Sequence, residues 1–171
     1  MSDAPIPDPG TTGQSRLPSL GRRGGGWVGL QVVVFAVVAL TGWLGPDWPP
    51  AATPWLWAVA GVTLVTGVGL LLAGGAGLGR QLTPFPRPVP DGVLRQDGIY
   101  GHARHPIYGG VLLSMLAWAL ATSPLALAPW ALGAVFFDTK RRREEAWLLA
   151  TYPEYAAYRQ RVRRAFVPFV W

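Results

Sequence analysis

Two short polar stretches interrupt an otherwise apolar chain, and their residue types offer complementary chemistry. The first, Arg-His-Pro-Ile-Tyr-Gly-Gly at 104–110, sets a guanidinium, an imidazole and a phenol directly before an apolar run. Pro106 suits the first turn of a helix, where its missing N–H costs nothing, so Arg104 and His105 stand at the mouth of that helix. A helix N-terminus with Arg and His beside it favours an anion, through free N–H groups and the helix dipole. The second stretch, Asp-Thr-Lys-Arg-Arg-Arg-Glu-Glu at 138–145, ends in Glu144 and Glu145, which favour a cation. Tyr100, Tyr108 and Trp147 add aromatic faces that attract a positive group. Each stretch alone has a plainer reading. Arg-His-Pro before a helix is an interfacial anchor, and Lys-Arg-Arg-Arg-Glu-Glu is a stop-transfer flank with its charges solvated.

The elements that must position these residues follow from hydropathy. Residues 1–26 are rich in Pro, Gly and Ser with almost nothing to bury, which predicts a disordered tail. Trp27 to Gly45 is uncharged and long enough to cross a hydrocarbon core of about 30 Å as a helix. A cleaved signal peptide is the rival, given Arg22 and Arg23 before the run and Ala51-Ala52 after it, but the run is too long for an h-region and starts late. A second uncharged run extends from Trp55 to about Gly79. The third and fourth, Ile107 to Thr122 and Pro124 to Phe137, are separated only by Ser123-Pro124, a tight turn between antiparallel helices. Both fall short of the usual span of about 20 residues. They are read as a membrane hairpin whose ends continue in protein-covered turns or whose bilayer thins.

Beyond the hairpin, Leu148, Tyr152, Tyr155, Tyr158 and Val162 fall at helical spacings and predict an amphipathic segment lying on the membrane, broken near Pro153. Gly-Gly-Ala-Gly at 74–77 lacks both the phosphate-loop motif and its preceding strand, and marks a fraying helix end or close packing. The expected fold is all-α: a polytopic membrane protein of four transmembrane helices, the last two a hairpin, with C-terminal amphipathic cytoplasmic helices. Its expected organisation is a tail (1–26), two transmembrane helices (27–79) and a catalytic region (80–171).

Four spans put every Lys and Arg on one face. The tail supplies Arg16, Arg22 and Arg23, the central loop Arg80, Arg87, Arg95 and Arg104, and the C-terminal part Lys140 to Arg164. The other face receives the loop 45–54 and the Ser123 turn. The positive-inside rule makes the basic face cytoplasmic, with both termini and both polar stretches on it.

Composition agrees. Half of the 171 residues are hydrophobic and only 14% are charged, yet the net charge is +6, an unusual mixture for a soluble domain. Topology accounts for the high pI, and no nucleic-acid module is visible. The chain has no cysteine and two histidines, which argues against disulfides, a thiolate nucleophile and a metal centre.

In an antiparallel hairpin the start of one helix lies beside the end of the other, so Arg104, His105 and Tyr108 converge on residues 138–145 in one interfacial pocket. A ligand with both a carboxylate and a permanent cation uses all of it, and S-adenosylmethionine has both, an α-carboxylate and a sulfonium.

The same residues carry a family resemblance. Gly98 and Tyr100, then Arg104, His105, Pro106, Tyr108 and Gly110, a hairpin, Glu144, Glu145 and Leu148, and finally Tyr155 and Tyr158 follow a family pattern. This resembles the membrane methyltransferases of the isoprenylcysteine carboxyl methyltransferase family and, more loosely, the phospholipid N-methyltransferases. Residues 1–80 match only in being apolar helices. The resemblance implies a helical membrane enzyme that binds S-adenosylmethionine from the cytosol and admits a lipophilic small-molecule substrate from between its helices. Membrane lipids are the other expected partner; no metal or nucleic acid is expected, on the composition and topology above, and no obligate protein partner is evident. Carried over residue by residue, His105 and Tyr108 hold the cofactor with the backbone around Gly98 to Tyr100, and Glu145 lies by the methyl-transfer centre.

The candidate catalytic residues are Glu145, Arg104 and Lys140. The candidate cofactor-binding residues are Gly98, Tyr100, His102, His105, Pro106, Tyr108, Glu144 and Glu145. Where the prenylcysteine enzymes have an arginine five residues before the second glutamate, this chain has Lys140. Arginine grips a carboxylate with a two-pronged fork and lysine does not, which argues for acceptors other than a prenylcysteine carboxylate. Two rival functions remain: an NADPH-dependent enzyme like the sterol reductases, whose C-terminal region also contains Arg-His-Pro, and a non-catalytic protein whose basic face binds lipid headgroups.

Overall fold

The apolar runs fold as helices that leave much of their surface outward. The computed structural model describes residues 20–21, 24–89, 92–168 and 170. Its α-helices are α1 (Gly25–Leu44), α2 (Thr53–Leu78), α3 (Pro106–Thr122), α4 (Leu127–Thr151) and α5 (Tyr155–Arg161), and no strand forms among the described residues. Most of the expected tail, with Arg16, Arg22 and Arg23, lies outside the described residues, while α1 begins at Gly25, two residues earlier than expected.

Helices α1 and α2 are long and apolar enough to cross a membrane, with mean hydropathies of 2.0 and 2.1. Large apolar side chains such as Trp43, Trp55, Val62, Val65 and Leu72 point outward from them. An apolar surface of that extent calls for a lipid or protein cover. The hydroxyls of Thr41, Thr63 and Thr66 donate to carbonyls four residues back, so they add no unsatisfied group to that surface.

Glycines set how closely α2 and α3 approach. A Cβ on Gly110 would lie 2.6 Å from the Gly67 carbonyl oxygen, and one on Gly67 would lie 2.9 Å from that of Gly110. Gly74 meets Ile107 in the same way and Gly77 meets the Tyr100 ring, so the 74–77 cluster serves close packing. Helix α4 closes the bundle through a core of Val38, Leu112, Met115, Phe137 and Phe166. The expected turn is a Ser123 cap and a 3-10 turn, Pro124–Ala126, with the Ser123 hydroxyl accepting from the Leu125 N–H at 3.2 Å. Two tryptophans tie that end together: Trp48 Nε1 donates to the Ala119 carbonyl and Trp57 Nε1 to that of Ala121, each at 3.1 Å.

Two expectations are corrected. The fourth helix does not stop near Asp138 but continues through the charged string to Thr151. Arg, Glu, Ala and Leu are strong helix formers, and ion pairs at helical spacing lace the extension: Asp138 with Arg141 at 2.6 Å and with Arg142 at 2.7 Å, and Arg141 with Glu145 at 3.1 Å. The break comes at Tyr152, the residue before Pro153, where proline disfavours helical backbone. Nor does the tyrosine face of the next segment lie on a membrane. Tyr155 and Tyr158 are 1% and 2% exposed, packed with Val162 against Leu94, Leu148 and Tyr152. Leu94 of the central loop, with Leu148 and Tyr152 at the end of α4, covers that apolar face.

Candidate active site

The start of α3 is built by the end of the chain. Residues 162–168 cross it, and the N–H groups of Arg104 and His105 donate to the carbonyls of Arg164 (3.1 Å) and Ala165 (2.7 Å). A Cβ at Gly109 would collide with the Phe166 carbonyl, so only glycine admits this crossing. The expected open helix N-terminus is therefore partly occupied by protein backbone, because Pro106 offers no N–H and the preceding two are taken.

Around this crossing the side chains sort into two groups on two neighbouring faces of α4. Glu144 and Glu145 are neighbours, and successive residues of a helix project about 100° apart. Glu144 faces a cavity of about 390 Å³ between α1, α3, α4 and the loop residues 81–89 and 93–95. There its Oε2 accepts from the Tyr108 hydroxyl at 2.6 Å, with His105 Nδ1 3.9 Å away. The His105 and Tyr108 rings stack at 5.5 Å, tilted by only 9°. Lys140 is fully buried on the same wall, where Nζ donates to Gln31 Oε1 and to the Pro84 carbonyl (3.0 Å) and lies 5.2 Å above the Tyr108 ring. Burial lowers its pKa, with Glu144 opposing the shift. Pro84, Pro86 and Pro88 form one wall of the cavity, each with its φ locked by the ring.

Glu145 sits on the other of these faces in a cage of cations. Its Oε1 accepts from Arg104 Nε (3.0 Å) and His105 Nε2 (3.2 Å) and pairs with Arg141 (3.1 Å), while Arg159 is 3.8 Å from Oε2. Burial opposes its ionisation, but the His105 hydrogen bond and the charges of His105, Arg104 and Arg141 prevail and hold the carboxyl well below its usual range. The guanidinium of Arg104 also donates to the carbonyls of Val162 (2.7 Å) and Arg163 (2.8 Å), pinning the crossing segment to α3.

The cavity thus gathers Tyr100, Arg104, His105, Tyr108, Lys140 and Glu144 from the residues expected on sequence grounds. Tyr100 is committed structurally: its hydroxyl donates to the Gly74 carbonyl at 3.1 Å and its carbonyl accepts from Tyr158 at 2.7 Å. Gly98, His102 and Pro106 do not line the cavity. Gly98 opens a 3-10 turn at φ +56°, a left-handed conformation that suits glycine, and exposed His102 turns back with Nδ1 3.1 Å from the Gly98 carbonyl. Pro106 packs on Gly74. Trp147, expected to offer its face to a cationic ligand, is 1% exposed and stacked on the Arg143 guanidinium, 4.3 Å from its carbon.

Three lining residues were not among the expected site residues: Gln31, Arg95, read only as a topology determinant, and Tyr155, read only as part of the family pattern. Gln31 carried a signal, as the one amide in an otherwise apolar run. Arg95 Nε and the Tyr155 hydroxyl are buried on the cavity wall with no hydrogen-bond partner among the described residues, which no local pattern foretells. Burial pushes the Tyr155 pKa well up, so the phenol stays a donor. A buried donor without a partner is costly and suits a ligand that accepts from it.

The model of the isoprenylcysteine carboxyl methyltransferase (ICMT) family matches residues 59–151, more than half of the chain. The match takes in His105, Tyr108, Lys140 and both glutamates. No curated protein matches the chain.

Proposed function

The chain belongs to the isoprenylcysteine carboxyl methyltransferase family of membrane methyltransferases, and from that premise we propose an S-adenosylmethionine-dependent enzyme acting on a small lipophilic acceptor. The protein crosses the membrane four times in this reading, with α3 and α4 as the second pair, and the cavity opens at the cytoplasmic face, where the basic residues gather.

The observation that carries the reading is the mixed character of the cavity, a buried wall with both charges and unused donors. Glu144 and the rings of Tyr108 and Tyr152 suit a cationic centre, while Arg95 Nε and the Tyr155 hydroxyl, which have no hydrogen-bond partner among the described residues, suit a carboxylate. The cofactor presents both groups. When bound, it supplies a methyl group on a sulfonium, a leaving group already activated for in-line displacement.

The chain's work is to align the reactants and exclude water. Tyr108 holds Glu144 on the cavity wall by its short hydrogen bond. Lys140, beside Phe137, Gln31 and Val111, stands at the apolar end and meets the acceptor's polar head. A carboxylate or thiolate acceptor needs no base. An amine or thiol must lose a proton, and Glu144 is the carboxylate that faces the cavity. Glu145 we assign to positioning: ionised and enclosed by arginines, it is a poor proton acceptor but fixes both Arg104 and His105.

The test is to incubate the membrane-reconstituted protein with methyl-labelled S-adenosylmethionine and a panel of farnesylcysteine, phosphatidylethanolamine and alkyl thiols, then to count label in organic extracts. Label in a lipophilic product is expected. Absence of label, together with thermal stabilisation by NADPH and not by S-adenosylhomocysteine, would refute the reading.

A further inference from the structure

The outer face of α4 carries a second cluster of charge, separate from the cavity except for Arg104. Leu132, Val135, Arg142 and Leu149 follow one another at three- and seven-residue intervals and so share one side of the helix. Leu132 and Val135 are 71% and 65% exposed and Leu149 40%, while the Arg142 side chain is 66% exposed. An apolar ridge therefore leads directly to an exposed guanidinium, about 10 Å further along the axis.

There it meets a cleft between α4 and α5 lined by Arg104, Arg141, Arg142, Arg159, Glu145 and Leu149. The acids at this cleft already have partners. Asp138 binds Arg141 and Arg142, and Glu145 binds Arg104, His105 and Arg141. Four arginines against two carboxylates leave a positive surplus, and it faces outward on Arg142 and Arg159, whose side chains are 66% and 52% exposed.

We infer that this cleft seats the phosphate of an anionic membrane phospholipid, with an acyl chain along Leu132 and Val135. Guanidinium forks match phosphate oxygens, and a basic pocket at the cytoplasmic end of membrane helices takes anionic headgroups. The apolar ridge decides between lipid and soluble phosphate, because only a lipid occupies both. The inference rests on the membrane reading of α4 proposed above.

The test is the thermal unfolding midpoint of the purified full chain in a neutral detergent, with added phosphatidylglycerol, phosphatidylcholine or inorganic phosphate. Phosphatidylglycerol raises the midpoint of the wild type, and the other two leave it nearly unchanged. Arg142→Gln/Arg159→Gln loses most of that shift while keeping the wild-type midpoint in phosphatidylcholine. Leu149→Asp, which adds a negative charge at an exposed position, loses it as well and serves if the double variant is unstable. An equal shift in the variants, or with phosphatidylcholine, refutes the site, and a matching shift with inorganic phosphate refutes the lipid. Stabilisation by S-adenosylhomocysteine, measured in parallel on the same variants, reports on the methyltransferase reading independently.

Discussion

Glu144 and Glu145 are adjacent in sequence yet work on different faces of α4. Glu144 accepts from Tyr108 at 2.6 Å on the cavity wall, whereas Glu145 accepts from Arg104 at 3.0 Å and His105 at 3.2 Å. The two carboxylates therefore answer differently to substitution, and this separates binding from architecture.

Glu145→Gln leaves three cations around a neutral amide, and breaking a buried ion cluster from one side costs on the order of 3 kcal/mol. Its folded pKa lies below the ordinary 4.5, so the stabilisation is complete above that value and is lost as pH falls towards the folded pKa. The difference in unfolding midpoint between wild type and Glu145→Gln, followed from pH 7 downwards, should hold constant to about pH 5 and then shrink. A gap that is unchanged well below pH 4 would show that Glu145 is not held ionised by this cage.

Tyr108→Phe removes one hydroxyl and keeps the ring stacked on His105. Glu144 then loses its short hydrogen bond, and affinity for S-adenosylmethionine, which carries the sulfonium, should fall about tenfold, or 1.4 kcal/mol. Titration calorimetry on detergent-solubilised protein measures it. Glu144→Gln should weaken the same binding without the acid-dependent instability of Glu145→Gln.

The chain has no cysteine of its own, so single introduced cysteines report topology cleanly. At Gln96 and Gln160 they should be shielded from an impermeant thiol reagent in intact cells, and at Ala51 labelled. Labelling of Gln96→Cys from outside would overturn the four-span arrangement.

Gly110→Ala places a methyl group 2.6 Å from the Gly67 carbonyl oxygen and 2.9 Å from the Leu71 nitrogen, backbone atoms that cannot swing aside. Separating α2 from α3 should cost about 1–3 kcal/mol. A lowered unfolding midpoint is the expected readout, and Gly61→Ala, where nothing lies within 4 Å, should leave it unchanged.

Sequence alone determined the helices, the Ser123 turn and the meeting of Arg104, His105 and Tyr108 with the glutamates. Each depends on local signals: uncharged runs, a proline at a first turn, and the antiparallel geometry that a short connection imposes on two helices. Helical periodicity also put Tyr155 and Tyr158 on one face.

What covers a face is not local, and there the tertiary structure decided. The tyrosine face packs against Leu94 of the central loop and Leu148 of α4 rather than on lipid, a meeting of segments far apart in the chain. The start of α3 is capped by carbonyls some 60 residues away, and Trp147 is taken by Arg143. Glu144 rather than Glu145 faces the cavity because the rotation of α4 about its axis is set by packing of Phe137 and Lys140 against α1 and α3, a sum of contacts between distant segments. Adjacent carboxylates look alike in a sequence, and only the partners that surround each one give it a separate role.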